Sequence, residues 1–361
     1  MKGLKDLDLK GVKVAVAMSG GVDSSVCALL LKKAGADVFG VTMQIVPWSR
    51  CCLPKDIQEA RLVAKQLGIK HYLVNLIEPF KKQAINYFVR ESKKGMNPNP
   101  CVPCNQKIKF GALLKFAEKH GAKYFATGHY ARLERKNGKI LLKRPVDVSK
   151  DQSYVLSMLP KKLFKKLILP IGDYTKEEVR TIAKNNGLKV HARKSNQDLC
   201  FLNYEKGEFI EWWTKKKSKP GNIVNIKGNI LGRHDGIINY TIGQRRNLGL
   251  NTTKRLYVFD INPKKNEIIV GEEKDIYRKQ FYVRDANWVS IEKPNKPISV
   301  DVIIRNKMKP QKAKIFPYGK GVKVISKEPI WAVSLGQIAV FIKDDVVLGG
   351  GWIEYGNRRK A

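Results

Sequence analysis

The chain has 361 residues, of which 43% are hydrophobic, and its 69 lysines and arginines against 32 aspartates and glutamates give a formal net charge of +37. This length predicts two or three domains with substantial cores, and no apolar run is long enough to span a bilayer. The N-terminus lacks an apolar signal-peptide core, so we expect a cytoplasmic protein. The positive charge favours a polyanionic partner, most commonly nucleic acid. Because basic residues are spread along the chain, it does not resemble a membrane-binding amphipathic helix.

The N-terminal segment predicts a phosphate-binding turn. Residues 12–17 form an apolar run typical of a strand, Ser19-Gly20-Gly21 a tight turn, and the residues that follow a helix through Lys33. Backbone N–H groups at such a helix N-terminus bind phosphate, and Asp23 could cap the helix or help hold a metal–pyrophosphate. No Gly-Lys-Ser/Thr follows, which excludes a Walker loop. The string Ser-Gly-Gly-Val-Asp-Ser resembles the pyrophosphate-binding loop of ATP pyrophosphatases.

Strands and helices alternate through the first half of the chain. We predict further strands at 37–44, 71–76 and 124–127, and helices near 57–67, 80–93, 110–120 and 175–186. Three prolines predict a loop over 97–104. The alternation indicates an α/β, doubly wound parallel sheet whose ligand crevice lies at the carboxyl ends of its strands.

After about residue 206, helix-length periodicity fades and short β-rich runs take its place. Predicted strands lie at 223–226, 256–261, 267–270, 280–289, 299–305, 313–316, 322–325, 338–342 and 346–352, separated by turn signals. The sequence therefore predicts an ATP-pyrophosphatase domain at 1–206, a small connecting domain at 207–276 and a C-terminal β-barrel at 277–361.

Six cysteines occur, and a disulfide framework is not expected in the cytosol. Cys27 is interpreted as a core residue, and the adjacent Cys51 and Cys52 as structural or incidental, with sulfur relay as the alternative. Cys101-Val-Pro-Cys104 has metal or redox spacing, and Cys200 lies where a polar turn meets an apolar step. Together with nucleotide and nucleic-acid binding, these thiols suggest sulfur transfer, with sulfur carried as a persulfide or on a metal cluster.

Seven segments, in order, resemble the bacterial tRNA-specific 2-thiouridylases. They are residues 17–24, 97–110, 126–130, 150–154, 199–202, 240–249 and 332–337. The resemblance implies that ATP, with Mg²⁺, adenylates the 2-position oxygen of the wobble uridine of tRNA, and that a sulfur nucleophile then displaces AMP. It also implies a sulfur donor, either a persulfide carrier or sulfide.

The resemblance also assigns site residues. Cys200 corresponds to the persulfide-bearing cysteine, Cys104 to the partner that releases sulfur through a disulfide, and Asp23 to a catalytic position. The nucleotide-binding positions are Ala17, Met18, Ser19, Gly20, Gly21, Val22, Asp23, Ser24, Met43 and Gly128. The tRNA-contacting positions are Asn99, Pro100, Cys101, His129, Lys150, Asp151, Gln152, Arg305, Asn306 and Gln337. His129 could orient the uridine or, if protonated, contact phosphate.

One position departs from the family's pattern. Well-known members carry Asp where this chain has Cys101, so a third thiol joins the predicted site. Cys101, Cys104 and Cys200 could hold three irons of a four-iron–four-sulfur cluster and leave the fourth iron open for hydrosulfide. Cluster-free persulfide chemistry and a zinc site are the alternatives.

Two other classes of function fit part of the sequence. An ATP-pyrophosphatase-type small-molecule ligase would use the same turn but would need neither the positive charge nor the paired cysteines. A non-catalytic RNA-binding or iron–sulfur protein would not turn over nucleotide.

Overall fold

The computed structural model describes residues 2–4, 6–192, 199–306 and 308–355, with strands and helices alternating through the first half. In chain order the elements there are β1 (Lys13–Ala17), α1 (Val22–Lys33), β2 (Asp37–Gln44), α2 (Pro54–Gln66), β3 (Lys70–Asn75), α3 (Ile77–Phe80), α4 (Asn86–Lys93), α5 (Cys101–Pro103), α6 (Leu114–Lys119), β4 (Tyr124–Thr127), β5 (Arg132–Lys136), β6 (Lys139–Lys143), α7 (Ser153–Leu156), β7 (Leu167–Ile168) and α8 (Lys176–Asn185). π-Helical segments at Lys81–Ile85 and Cys104–Leu113 join α3 to α4 and α5 to α6.

The predicted doubly wound parallel sheet is confirmed. Its strands lie in the order β3-β2-β1-β4-β7, and all neighbours are parallel. Val14 and Val16 are fully buried in one core and Ala15 in another, because helices cover both faces. The strand order changes direction between β1 and β4, so the crevice at their carboxyl ends is where a ligand binds in such folds.

The prediction of a loop over residues 97–104 is wrong for its second half. Cys101 begins α5 and Cys104 begins the π-helical segment that continues to Leu113. Pro103 is tolerated because it lies in the first turn, where its missing N–H would have no helical partner. The two cysteines therefore lie at the start of a helix, on a more rigid support than a loop.

The second half forms two further sheets. It contains α9 (Lys206–Thr214), β8 (Gly221–Asn225), β9 (Ile230–His234), β10 (Tyr257–Asn262), β11 (Glu267–Gly271), β12 (Tyr277–Trp288), β13 (Ile298–Ile303), β14 (Gln311–Tyr318), β15 (Gly321–Trp331), β16 (Ile338–Lys343) and β17 (Val346–Glu354). Strands β8 to β11 form a small mixed sheet. Strands β12 to β17 pair in the order β12-β15-β14-β13-β16-β17, and β12 also pairs with β17, which closes the predicted barrel. Helix α9 was not predicted.

A β-hairpin of the first half extends the barrel sheet. Strands β5 and β6 pair with each other, and β6 pairs with β17 through Leu142 and Val347. Asn137 and Gly138 both have positive φ at its turn, which is the conformation a two-residue hairpin requires. The first half and the barrel therefore share one sheet.

In the parts of the chain that the structure describes, no helix has the length and apolar character needed to cross a membrane.

Candidate functional site

The turn after β1 is built as a cradle of backbone and hydroxyl groups. Gly21 is the N-cap of α1. The Ser24 hydroxyl accepts a hydrogen bond from the Ser19 backbone N–H (3.1 Å) and donates to the Gly21 carbonyl (3.1 Å), while Ser25 donates to the same carbonyl (2.9 Å). Gly20 has φ +72°, a conformation that favours glycine. The N-terminal dipole of α1 adds partial positive charge, so the turn suits a phosphate.

The other predicted nucleotide-binding residues lie around this turn. A Cβ on Gly128 would stand 2.7 Å from the Ser24 backbone nitrogen, so the segment after β4 packs directly against the start of α1. The Met18 backbone N–H donates to the Val41 carbonyl (2.9 Å). This bond places the turn beside β2, near whose carboxyl end Met43 lies.

Asp23 is paired with Lys176, a residue that the sequence analysis did not identify. The Lys176 ammonium, at the start of α8, donates to both carboxylate oxygens of Asp23 at 2.6 and 2.7 Å, and the Tyr130 hydroxyl donates to one of them at 2.9 Å. Lys176 is buried, with 8% of its surface exposed. Asp23 therefore belongs to a charge-assisted pair beside the turn.

His129 is buried next to the turn and is held in one tautomer. The Lys109 ammonium lies 3.3 Å from Nε2, and Nδ1 lies 2.7 Å from the Thr127 hydroxyl. An ammonium can only donate, so Nε2 accepts and Nδ1–H donates to Thr127. Burial, and then the charge of Lys109, hold the pKa of His129 well below its usual value. The imidazole is neutral near pH 7, which favours orienting a base and disfavours the alternative of a protonated phosphate contact.

Besides contacting His129, Lys109 acts electrostatically on three cysteines. Its positive charge favours a lower pKa for the thiols of Cys51, Cys101 and Cys104. Cys104 and Lys109 lie in the same π-helical segment, where i→i+5 hydrogen bonding brings residues five apart close to the same face. Burial raises the pKa of Cys104 to about 12, and Lys109 opposes that shift.

The turn that carries Cys51 lies against the segment that carries Cys200, because the Arg50 backbone N–H donates to the Cys200 carbonyl at 2.6 Å. Hydrogen bonding from the thiols of Cys200 and then Cys52 holds the pKa of Cys51 well below its usual value, against the effect of burial. The Ser49 hydroxyl lies 3.4 Å from the Cys51 sulfur. Cys51 therefore lies on a turn that packs against the segment of Cys200, and its interpretation as structural or incidental stays a prediction.

The predicted ligands of an iron–sulfur cluster are three thiols. Cys101, Cys104 and Cys200 are chemically suitable ligands; Cys101 is exposed, and the other two are half-buried. Among the residues that the structure describes, however, no three His, Cys, Asp or Glu side chains are arranged to hold a metal ion. In this arrangement the three thiols do not fit a cluster.

The loop before Cys101 is completed by the barrel. The Asn97 and Asn99 backbone N–H groups donate to the carbonyls of Leu335 (2.8 Å) and Gly336 (3.3 Å), and the Gln337 amide donates to the Asn97 carbonyl (2.9 Å). The structure thus brings together Asn99 and Gln337, which are more than 200 residues apart in sequence.

Three family models match the chain in succession. They are the tRNA methyl transferase HUP domain at residues 12–204, the tRNA methyl transferase PRC-barrel domain at 207–272 and the aminomethyltransferase beta-barrel domain at 278–353. Curated relatives carry a more specific name. The tRNA-specific 2-thiouridylase MnmA of Clostridium perfringens is 44% identical over 95% of this chain and 98% of its own length, and MnmA 1 of Caldanaerobacter subterraneus is 46% identical over the same shares. This chain belongs to the tRNA-specific 2-thiouridylase family.

A solved structure gives a more distant likeness to this thiouridylase-family chain. The U34-tRNA thiolase NcsA from Methanococcus maripaludis with its [4Fe-4S] cluster matches at 18% identity and a TM-score of 0.38, over 58% of this chain and 68% of that chain.

The remaining predicted tRNA contacts of this thiouridylase-family chain are partly engaged within the protein. Asp151 accepts from Arg144 at 2.6 Å, and Arg305 donates to the Trp331 carbonyl at 2.7 Å. The Gln152 side chain and backbone each bond Tyr130 at 2.9 Å, so Gln152 positions the tyrosine that contacts Asp23. Lys150 is half-exposed, Asn306 is exposed and Pro100 is buried.

Sequence reasoning missed Lys176, Tyr130 and Lys109. Tyr130 and Lys109 lie inside the motifs that carry the resemblance, which was a usable signal. Lys176 lies inside the capping box formed by Thr175 and Glu178. This pattern predicts the helix start but does not indicate contact with Asp23.

Proposed function

We propose that this chain uses ATP to adenylate the 2-position oxygen of the wobble uridine of tRNA and then replaces it with sulfur, releasing pyrophosphate and AMP and leaving 2-thiouridine. A carbonyl-type oxygen is a poor leaving group, and adenylation makes it a good one. One observation supports the proposal: contacts run from Ser24 through Gly128 and His129 to Lys109, whose charge acts on Cys101 and Cys104. We infer that the phosphate site and these thiols share one crevice.

The residues of the crevice have separate proposed roles. The turn from Ala17 to Ser24 binds the pyrophosphate portion, where charge develops during adenylation. Asp23 would help hold a magnesium–pyrophosphate opposite Lys176. Met43 and Gly128 flank the nucleotide. Neutral His129 orients the uridine, because it is buried and its tautomer is fixed.

The tRNA is held by the surrounding positive surface and by the two segments that meet near Cys101. Asn99, Pro100 and Gln337 are the proposed contacts to the target base, and the packing of the barrel segment against the loop before α5 supports this grouping. Lys150, Gln152, Arg305 and Asn306 are proposed as further contacts. Phosphate contacts of this kind position the RNA and supply most of its affinity.

Sulfur is carried on Cys200 as a persulfide in the route that this arrangement supports, with Cys104 as the second catalytic cysteine that the resemblance assigns. A four-iron–four-sulfur cluster on Cys101, Cys104 and Cys200 is the alternative carrier, and it requires the three thiols to converge further. Anaerobic determination of iron and acid-labile sulfide separates the two routes. A cytoplasmic location and a persulfide or sulfide donor belong to the same proposal.

The domain division at 206 and 276 is proposed with one qualification. The hairpin of β5 and β6 lies within the first 206 residues but pairs with the barrel strand β17. The catalytic domain and the barrel are therefore expected to unfold together.

The function is tested by incubating the protein with tRNA, ATP, magnesium and a sulfide source, followed by nucleoside digestion. We expect 2-thiouridine, with pyrophosphate released only when tRNA is present. Pyrophosphate release without RNA would instead indicate a small-molecule ligase, and no nucleotide turnover would indicate a binding protein.

A further inference from the structure

We propose that Trp212, near the end of α9, stacks on an unpaired base next to the wobble uridine of tRNA, and that Lys215 contacts a phosphate of the same nucleotide. The inference rests on the proposed function and deepens it, because it assigns a residue that positions the RNA at that site. Trp212 lies outside the seven segments that carry the resemblance.

Trp212 is a large, exposed ring that its neighbours hold in place. The side chain is 45% exposed. Its ring meets that of Trp48 edge to face, with 5.3 Å between centroids, and contacts Phe209 at 5.8 Å and Trp213 at 6.0 Å. Phe209 is only 1% exposed, and the Trp213 indole N–H donates to the Asn86 side chain at 2.9 Å. Because the ring is already packed in one place, binding a ligand on its open surface orders little side-chain motion.

The residues after Trp212 surround this ring with positive charge. Lys215 ends α9 in the left-handed conformation, with φ +55°, where glycine is the usual residue. Its ammonium lies 5.4 Å from the centroid of the Trp212 ring. The same loop adds three exposed lysines, of which the second pairs with Glu211 at 2.9 Å: Lys216, Lys217 and Lys219.

An exposed ring beside ammonium groups has the chemistry that a nucleotide requires. The ring offers a surface for the base, and a lysine offers a cation for the phosphate. Bases inside a duplex are already stacked, so the base must come from a single-stranded loop, as the anticodon loop is. A protein partner would be expected to cover a wider apolar surface, whereas Trp48 and Trp213 are half-buried and lysines border the exposed ring.

The position of Trp212 connects it with the proposed sulfur-transfer site. Trp48 follows the carboxyl end of β2, the same edge of the sheet as the phosphate-binding turn after β1. The Trp48 carbonyl accepts a hydrogen bond from the Asn203 side chain at 2.8 Å, and the Arg50 backbone N–H donates to the Cys200 carbonyl at 2.6 Å. The ring therefore lies beside the segment of Cys200, so we assign it a nucleotide that adjoins the reacting uridine.

The experiment measures thiolation kinetics of the wild type, Trp212→Ala and Trp212→Phe with tRNA, ATP, magnesium and inorganic sulfide. Loss of stacking on one base should raise the KM for tRNA about tenfold in Trp212→Ala, whereas kcat should fall much less, since the chemistry occurs elsewhere. Trp212→Phe keeps an aromatic ring and should recover most of the loss.

Stacking has a direct spectroscopic signature. Two tRNAs carry 2-aminopurine, one on each side of the wobble uridine. Binding to the wild type should quench the fluorescence of at least one of them, and the same tRNA should stay bright on Trp212→Ala at saturating protein. Lys215→Gln should reduce the salt slope of tRNA binding by about one.

Leu62→Ala, which removes a 52% exposed apolar side chain from α2, is the matched control and should keep the wild-type KM. A wild-type KM in Trp212→Ala, or no quenching of either tRNA by the wild type, would overturn the proposal. A defect that appears only when a persulfide-carrying protein replaces sulfide would show that the ring binds that protein instead. Failure of the proposed function looks different, since the wild type would then form no 2-thiouridine from sulfide.

Discussion

At the scale of single residues, the pair formed by Asp23 and Lys176 lies beside the turn that opens α1. Their side chains are 27% and 10% exposed, and the ammonium donates to both carboxylate oxygens. Such partly buried, charge-assisted bonds are stronger than surface ion pairs. In the proposed function, the pair supplies a carboxylate for magnesium and a cation for phosphate at the same end of α1.

We predict that Lys176→Met lowers tRNA-dependent pyrophosphate release about 100-fold, as loss of a transition-state donor does. It should also lower the free energy of unfolding by about 2 kcal/mol, because Asp23 loses its charged partner. Pyrophosphate assays and urea denaturation measure the two effects. Lys184→Met, an exposed change on the same helix, is the control and should alter neither.

The lowered pKa of His129 predicts how the free energy of unfolding depends on pH. Its pKa in the folded protein is depressed, chiefly by burial, so below about pH 6.5 the unfolded chain takes up a proton that the folded chain does not. The stabilisation is fully present above that pH and is lost as the pH falls toward the folded pKa, by at most about 1.4 kcal/mol per pH unit. His129→Gln should flatten this slope in urea titrations, and an unchanged slope would mean that the imidazole is not held neutral.

At the scale of elements, the hairpin of β5 and β6 joins the catalytic part to the barrel. The Ser290 hydroxyl, 8% exposed, accepts the backbone N–H of Leu142 at 2.9 Å. Arg132 and Lys143 both bond Asp345 across the same junction, at 2.6 and 3.1 Å. These contacts make the hairpin part of the barrel rather than a free extension.

Ser290→Ala should leave the Leu142 N–H buried without its acceptor and lower the free energy of unfolding by about 1–3 kcal/mol. Hydrogen exchange at the Leu142 amide should speed up in parallel. Ser299→Ala, an exposed change on β13, should have little effect. Equal stability of the two variants would contradict the observed junction.

Much of the α/β half could be predicted from sequence because its signals are local. Apolar runs predict the strands from β1 to β4, and the Ser-Gly-Gly turn predicts the start of α1. The Asn137-Gly138 dipeptide is a local hairpin signal, but nothing local indicates that β6 pairs with β17. The contacts of Lys176 with Asp23 and of Arg50 with Cys200 join residues about 150 apart, so only the fold creates them. The π-helical register of Cys104 and Lys109 likewise has no sequence signature.

At the scale of the whole molecule, a net charge of +37 should dominate binding of tRNA. With about six phosphate contacts, the dissociation constant should rise about 10³-fold between roughly 50 and 200 mM salt. Filter binding or fluorescence anisotropy across that range measures the slope. A flat response would mean that the positive surface does not contact the phosphate backbone.

In the proposed function, two half-reactions take place in one crevice, from the turn at Ser24 to the thiols near Lys109. The most direct test uses tRNA with oxygen-18 at the 2-position of the wobble uridine. If ATP activates that oxygen and sulfur then displaces it, every 2-thiouridine formed should be matched by one AMP whose phosphate carries the label. Unlabelled AMP, or label released into water while 2-thiouridine forms, would contradict adenylation at this site.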